Sequence, residues 1–364
     1  MENTSNYSLI EDRAEDATEI AVSAPRSKKN LFGLQFIAFI LGLGLLSLLL
    51  YKLGFKTIVD TISQIGWGFF IIVAFNGTRH FLRALCIFLA IPAAQRKFKY
   101  HHCLMARLGG EAVSFLSFTG PLLGEATKAL LLKRNTATLQ ESVSAIVADT
   151  AIYYISVLFV IFTGALTLLF YISNVPNITY MLFVVIFGTI MILAGVLYLR
   201  KKEFRLASSI IGWLGRFSWF PKSVSNKIGA FEEVEKSFHD LYANRRRTFF
   251  ALMGLDFLAH LTSILEVYVA LYLLGFSYTI VNSFIIEALT KVINLVFSFV
   301  PGTFGVYEGG NELILRTLGY AAVTGITLGL VRKGASIFWI VIGFLVLIWR
   351  TFANRFLEKP RTAE

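Results

Sequence analysis

The sequence predicts an all-α, polytopic integral membrane protein with about six to eight transmembrane helices and two broken re-entrant hairpins. Three observations predict this. First, 56% of the 364 residues are hydrophobic and mean hydropathy is +0.67, more apolar content than a soluble chain of this size needs. Second, the chain repeats apolar runs of about 18 or more residues, the length that marks a membrane span. Third, two apolar segments are interrupted by similar motifs, FLSFTGPLLGEATKALLLK at 115–133 and FSFVPGTFGVYEGGNEL at 297–313. Aligning Ser117-Phe118 with Ser298-Phe299 places Gly124 on Gly305. Gly120-Pro121 then falls on Pro301-Gly302 with the two residues swapped.

Composition also excludes several classes. The net charge of +11 suggests nucleic acid only in a soluble chain. Here the basic residues cluster between apolar runs, where topology and anionic lipid headgroups account for them. No soluble catalytic domain fits between the spans. Cys86 and Cys103 lie in or beside apolar segments, which argues against a disulfide framework. No phosphate-binding Gly loop with Lys-Ser/Thr, metal-spaced His/Cys cluster or convincing acid pair is visible, so no cofactor or metal is expected.

The elements follow in order. Residues 1–30 are polar and partly acidic, without the apolar core of a signal peptide, and read as a disordered cytoplasmic tail. The membrane domain is expected over 31–356, and 357–364 form a second cytoplasmic tail. Residues 31–51 are the first span, with Arg26, Lys28 and Lys29 holding the N-terminus in the cytoplasm. Residues 52–66 read as a short external segment. The second span, 67–93, carries Arg79, His80 and Arg83 near its middle. A basic loop with Arg96, Lys97 and Lys99 leads into 103–133, the first broken hairpin. Each of its halves is short, and Gly120-Pro121 breaks the helix between them.

Residues 142–171 and 179–199 are the next spans, joined outside by an uncharged turn. Residues 200–247 form a basic cytoplasmic segment. Within it Val224, Ile228, Phe231, Val234, Phe238 and Leu241 make one apolar helical face, against the membrane, this protein or a partner. Residues 248–274 cross outward, carrying Asp256, His260 and Glu266. The second broken hairpin is 280–315. Residues 321–356 are long for one crossing, and Arg332 and Lys333 sit awkwardly inside them.

Charges inside apolar spans are costly, about 2.5–3.5 kcal/mol each on insertion scales, and demand partners. Arg79 and Arg83 share a helix face and repel, so they require a counter-anion. A lipid phosphate is one. Asp149 or Glu125 is another, in which case the arginines only hold helices together. Glu125 with Lys128, and Glu287 with Lys291, have the spacing of helical ion pairs. Asp256 and His260 share that spacing too, while Asp149 stands alone in its span. These groups either line a polar path or satisfy one another between helices.

Three crossings separate the hairpins, which implies an inverted-topology repeat with its site near the midplane. Each second half-helix is expected to begin near Gly124 or Gly305 and to point its N-terminus inward, an arrangement that favours anions. Glu125 and Glu308 fall in those first turns. They either stabilise the helix starts or receive a cationic headgroup or proton.

These motifs carry a resemblance. Phe118, then Gly120-Pro121-x-x-Gly124-Glu125-x-x-Lys128, with the later Pro301-Gly302-x-x-Gly305-x-x-Glu308, resembles the flippase-like membrane family. That family is also called the lysylphosphatidylglycerol synthase transmembrane region. The resemblance covers about residues 31–356. It implies a fold with two inward-facing broken hairpins and the handling of aminoacyl-phospholipids, hopanoids or polyisoprenyl-linked lipids. It also implies that Pro121, Gly124, Glu125, Lys128, Pro301, Gly302, Gly305 and Glu308 are motif positions. The family often has Arg where this chain has Lys128; lysine keeps the charge but loses the two-pronged phosphate grip. The aminoacyl-transferring domain of fused relatives follows their membrane part. This sequence ends at Glu364, so that activity is not expected.

The leading reading is therefore translocation of a lipid between leaflets of the cell membrane. Arg79, Arg83 and Lys128 would meet an anionic or zwitterionic headgroup. Alternatives are a headgroup transferase embedded in the membrane, a secondary transporter, or a subunit supporting a biosynthetic enzyme partner.

Overall fold

In the computed structural model the described residues are 63–93, 98–117, 121–133, 139–171, 182–191 and 243–357, with a few single positions between them. The tails, the expected span at 31–51 and nearly all of the basic segment 200–247 lie outside them.

Every described element is helical apart from turns. In chain order they are α1 Phe69–Ala90, α2 Tyr100–Leu116, α3 Pro121–Lys133 and α4 Leu139–Tyr171. A short apolar helix, α5, follows at Leu182–Met191. Then come α6 Arg246–Leu273, α7 Ile280–Val296, α8 Val306–Thr317 and α9 Ala322–Leu357. Among the described residues four apolar stretches are long enough to cross a membrane: Gly66–Ala90, Glu141–Tyr171, Arg246–Leu273 and Ala322–Arg350, of 25 to 31 residues. At 1.5 Å per residue each exceeds the ~30 Å hydrocarbon core. Their outward faces carry large apolar side chains such as Phe70, Phe159, Phe250, Phe338 and Trp349. A water-facing surface does not hold such a belt; acyl chains do.

The remaining helices are shorter. α2 and α3 pack on each other, as do α7 and α8, while α9 packs along both α2 and α8. The tips of the two pairs meet: the Phe115 and Phe304 rings are edge-to-face with centroids 5.7 Å apart. Pro121 opens α3, since a first-turn residue needs no N–H bond and proline already has a helical φ. The second half-helix of the first pair therefore starts before Gly124, not at it. Gly124 lies inside the helix, where a Cβ would sit 2.7 Å from the Gly110 carbonyl oxygen of α2. In the second pair the expectation holds. Gly305, at φ +76°, precedes α8, and Gly302, at φ +60°, turns the chain within Pro301–Thr303. α9 runs unbroken through Arg332 and Lys333.

Two apolar clusters fill the bundle. One contains Ile87, Cys103, Leu132, Ile152 and Leu252; the other contains Ile72, Leu168, Leu271, Ile285 and Leu328. On α1, α4 and α6 each helix contributes one end to each cluster. Between the clusters these helices turn polar side chains to a shared wall: Asn76, Arg79 and Arg83 on α1, Thr150 and Tyr153 on α4, and His260 and Glu266 on α6. A polar layer thus sits midway along these membrane-length helices, between two dry ones.

Candidate functional site

That polar layer encloses a cavity of about 370 Å³. Among the described residues six cations line it (Arg79, Arg83, Arg107, Lys291, Arg332 and Lys333) against four carboxylates, Glu111, Glu125, Glu266 and Glu287. The hairpin tips close one side through Phe115, Pro121, Gly302 and Thr303.

Arg83 is consumed by its neighbours. Its Nη2 lies 2.6 Å from Asp149 Oδ2 on α4, and its Nε 3.3 Å from Asp256 Oδ1 on α6. The Tyr153 ring stacks 4.0 Å from the guanidinium carbon. All three charges are buried, so the cluster ties α1, α4 and α6 together. Arg79, one turn earlier, has a different fate. Its Nη1 reaches Ser263 Oγ at 3.3 Å, and it has no carboxylate partner among the described residues. The shared face of the two arginines is thus split between one neutralised charge and one open charge.

The first hairpin carries its own network. Lys128 Nζ lies 2.9 Å from Glu125 and 3.4 Å from Glu111, and Glu111 lies 2.9 Å from Arg107. Lys128 is buried and lies outside the cavity lining, whereas Glu125 and Pro121 are part of it. In the second hairpin Glu308 Oε2 accepts the Gly305 N–H at 2.8 Å, a capping box around the start of α8. Its Oε1 lies 2.8 Å from Lys333 Nζ. Glu308 is fully buried behind Lys333.

A third network joins α6, α7 and α9. Lys291 pairs with Glu287 at 2.8 Å, as their spacing predicted. Arg332 Nη2 binds Glu287 Oε2 at 2.6 Å and its Nε binds Glu266 Oε1 at 3.2 Å. Asp256 and His260 do not pair: Asp256 faces Arg83, and His260 Nε2 lies 3.0 Å from Ser156 Oγ. Their four-residue spacing permits contact, but a guanidinium offers the carboxylate a stronger partner.

Sequence reasoning underused Arg107, Glu111, Glu266, Arg332 and Lys333. Arg107 and Glu111 have helical ion-pair spacing, a signal that was available. The partners of Arg332 and Lys333 are distant in sequence and carry no local signal. Cys86, Asp149 and Asp256 bring possible metal-ligand atoms within 4.8 Å of one another. Arg83 already bridges both carboxylates there, occupying the position between them.

The lysylphosphatidylglycerol synthase transmembrane region family matches residues 35–343. The chain belongs to that family. The match spans both hairpins and every cavity-lining residue. It concerns the transmembrane region of such synthases, and the catalytic synthase domain lies outside it. Together with the apolar helices, the family makes this a multi-pass membrane protein whose setting is membrane lipid. No curated protein and no solved structure matches the chain.

Proposed function

We propose that the protein translocates a lipid between leaflets, passing the polar headgroup through the central cavity while the acyl chains stay in the bilayer. The observation that carries this reading is a charged cavity at mid-height of helices whose outer faces are apolar. Such a chamber lowers the cost of moving a polar group across hydrocarbon. The second hairpin supplies irregular backbone at that depth, at Pro301–Thr303, tolerated where it is buried in protein or borders a hydrated space.

In this reading Arg79 and the lining edge of Arg332 contact the headgroup, and Glu125 borders its path. Arg83, Asp149, Asp256, Lys128, Glu287 and Lys291 hold the walls in place. Gly124 sets the approach of α3 to α2, and Pro301, Gly302, Gly305 and Glu308 shape the second tip. The hairpins enter the bilayer in opposite senses, as an inverted repeat would.

The test is mass spectrometry of lipids retained by the purified protein, beside an Arg79→Ala/Glu125→Gln variant. One lipid class enriched on the wild type and lost from the variant is expected, along with lost translocation of that lipid in proteoliposomes. Bulk lipid composition on both proteins and unchanged translocation would sink the reading.

A further inference from the structure

We propose that the cavity accepts a headgroup bearing a phosphate and hydroxyls and rejects one bearing an ammonium group, because Lys333 already occupies the ammonium position. The inference rests on the translocation reading and narrows its substrate class.

The surroundings of Lys333 Nζ are those of an ammonium-binding cage. The ring centroids of Phe304 and Tyr307 lie 4.5 and 5.0 Å away. Glu308 Oε1 is at 2.8 Å and the Thr303 carbonyl oxygen at 3.1 Å. Two aromatic faces, a carboxylate and a carbonyl are the groups that would recognise a ligand cation. Here they hold a tethered one, which pays no association entropy. Lys333 is 7% exposed, and a ligand ammonium entering the cage would leave it buried and unpaired.

The other wall carboxylates are also taken. Glu111, Glu125, Glu266 and Glu287 each have a side-chain cation within 3.2 Å. Two donors are in the opposite condition. Arg79 lacks a carboxylate partner among the described residues. Arg332 Nη1 is buried with no hydrogen-bond acceptor. An incoming phosphate supplies the acceptors these groups lack. The second oxygens of Glu125 and Glu266 are buried without a hydrogen bond, and they suit neutral hydroxyl donors.

The experiment titrates the full-length protein in detergent with short-chain phosphatidylglycerol, short-chain phosphatidylethanolamine and inorganic phosphate, reading tryptophan fluorescence, since Trp339 lines the cavity. The glycerol lipid is expected to bind about tenfold more tightly than the ethanolamine lipid. Equal or tighter binding of the ethanolamine lipid by the wild type overturns the inference and leaves translocation standing. Lys333→Met is expected to raise affinity for the ethanolamine lipid by about tenfold. Lys333→Met/Glu308→Gln, which strands no charge, is expected to show no such gain; an equal gain in both variants overturns the cage. Should inorganic phosphate bind as tightly as the glycerol lipid, the lipid reading falls while the selection for anions by Lys333 is upheld.

Discussion

Arg332 and Lys333 are adjacent on α9, yet they bind carboxylates on three other helices. Arg332 reaches Glu266 of α6 and Glu287 of α7, and Lys333 reaches Glu308 of α8. Consecutive helical residues point about 100° apart, so one turn of α9 reaches all three helices at once. That turn joins the membrane-length helix α6 to the second hairpin.

The Arg332 bridge predicts strong coupling. In a double-mutant cycle, Arg332→Met with Glu287→Gln should show an interaction of about 0.5–3 kcal/mol in thermal or denaturant unfolding. Arg332→Lys should not rescue, since one ammonium cannot replace a fork that serves two carboxylates. Additive effects would disprove the bridge.

Arg79 and Arg83 predict opposite outcomes from the same substitution. Arg83→Met strands Asp149 and Asp256 and should destabilise by about 3–5 kcal/mol. Adding Asp149→Asn and Asp256→Asn should recover much of that loss. Arg79→Met removes one hydrogen bond to Ser263 and should cost about 1 kcal/mol or less, while abolishing lipid translocation. Unfolding curves and a proteoliposome assay on the same samples separate the two roles.

Gly124 predicts a packing defect. Gly124→Ala drives a methyl into the Gly110 carbonyl and should cost about 1–3 kcal/mol by overpacking. The loss should appear as a lower unfolding temperature. A neutral result would place the α2–α3 contact elsewhere.

The two cysteines predict silence. Cys86 and Cys103 are free and buried. A membrane-permeant maleimide should label neither in the native protein and both after denaturation, as counted by intact mass.

Much of the site was legible without coordinates. Glu125 with Lys128 and Glu287 with Lys291 could be read as pairs because helix geometry alone sets residues three or four apart side by side. Gly305 and Glu308 could be read as a helix start for the same local reason. A glycine at 124 could be read as allowing another backbone to come close, but that this backbone is Gly110 of α2 could not, and α3 begins three residues earlier, at Pro121. The Asp256–His260 spacing misled because local reach does not rank competing partners.

The sequence alone determined that this chain is a bundle of membrane helices with charges buried in it, since apolar run length and helical spacing are properties of short stretches. The tertiary structure decided which of those charges are spent on the fold. Asp149 meets Arg83 from 66 positions away, and Glu308 meets Lys333 from a different helix. Packing alone brings such groups within 3 Å, and it leaves Arg79 facing the cavity without a carboxylate partner among the described residues.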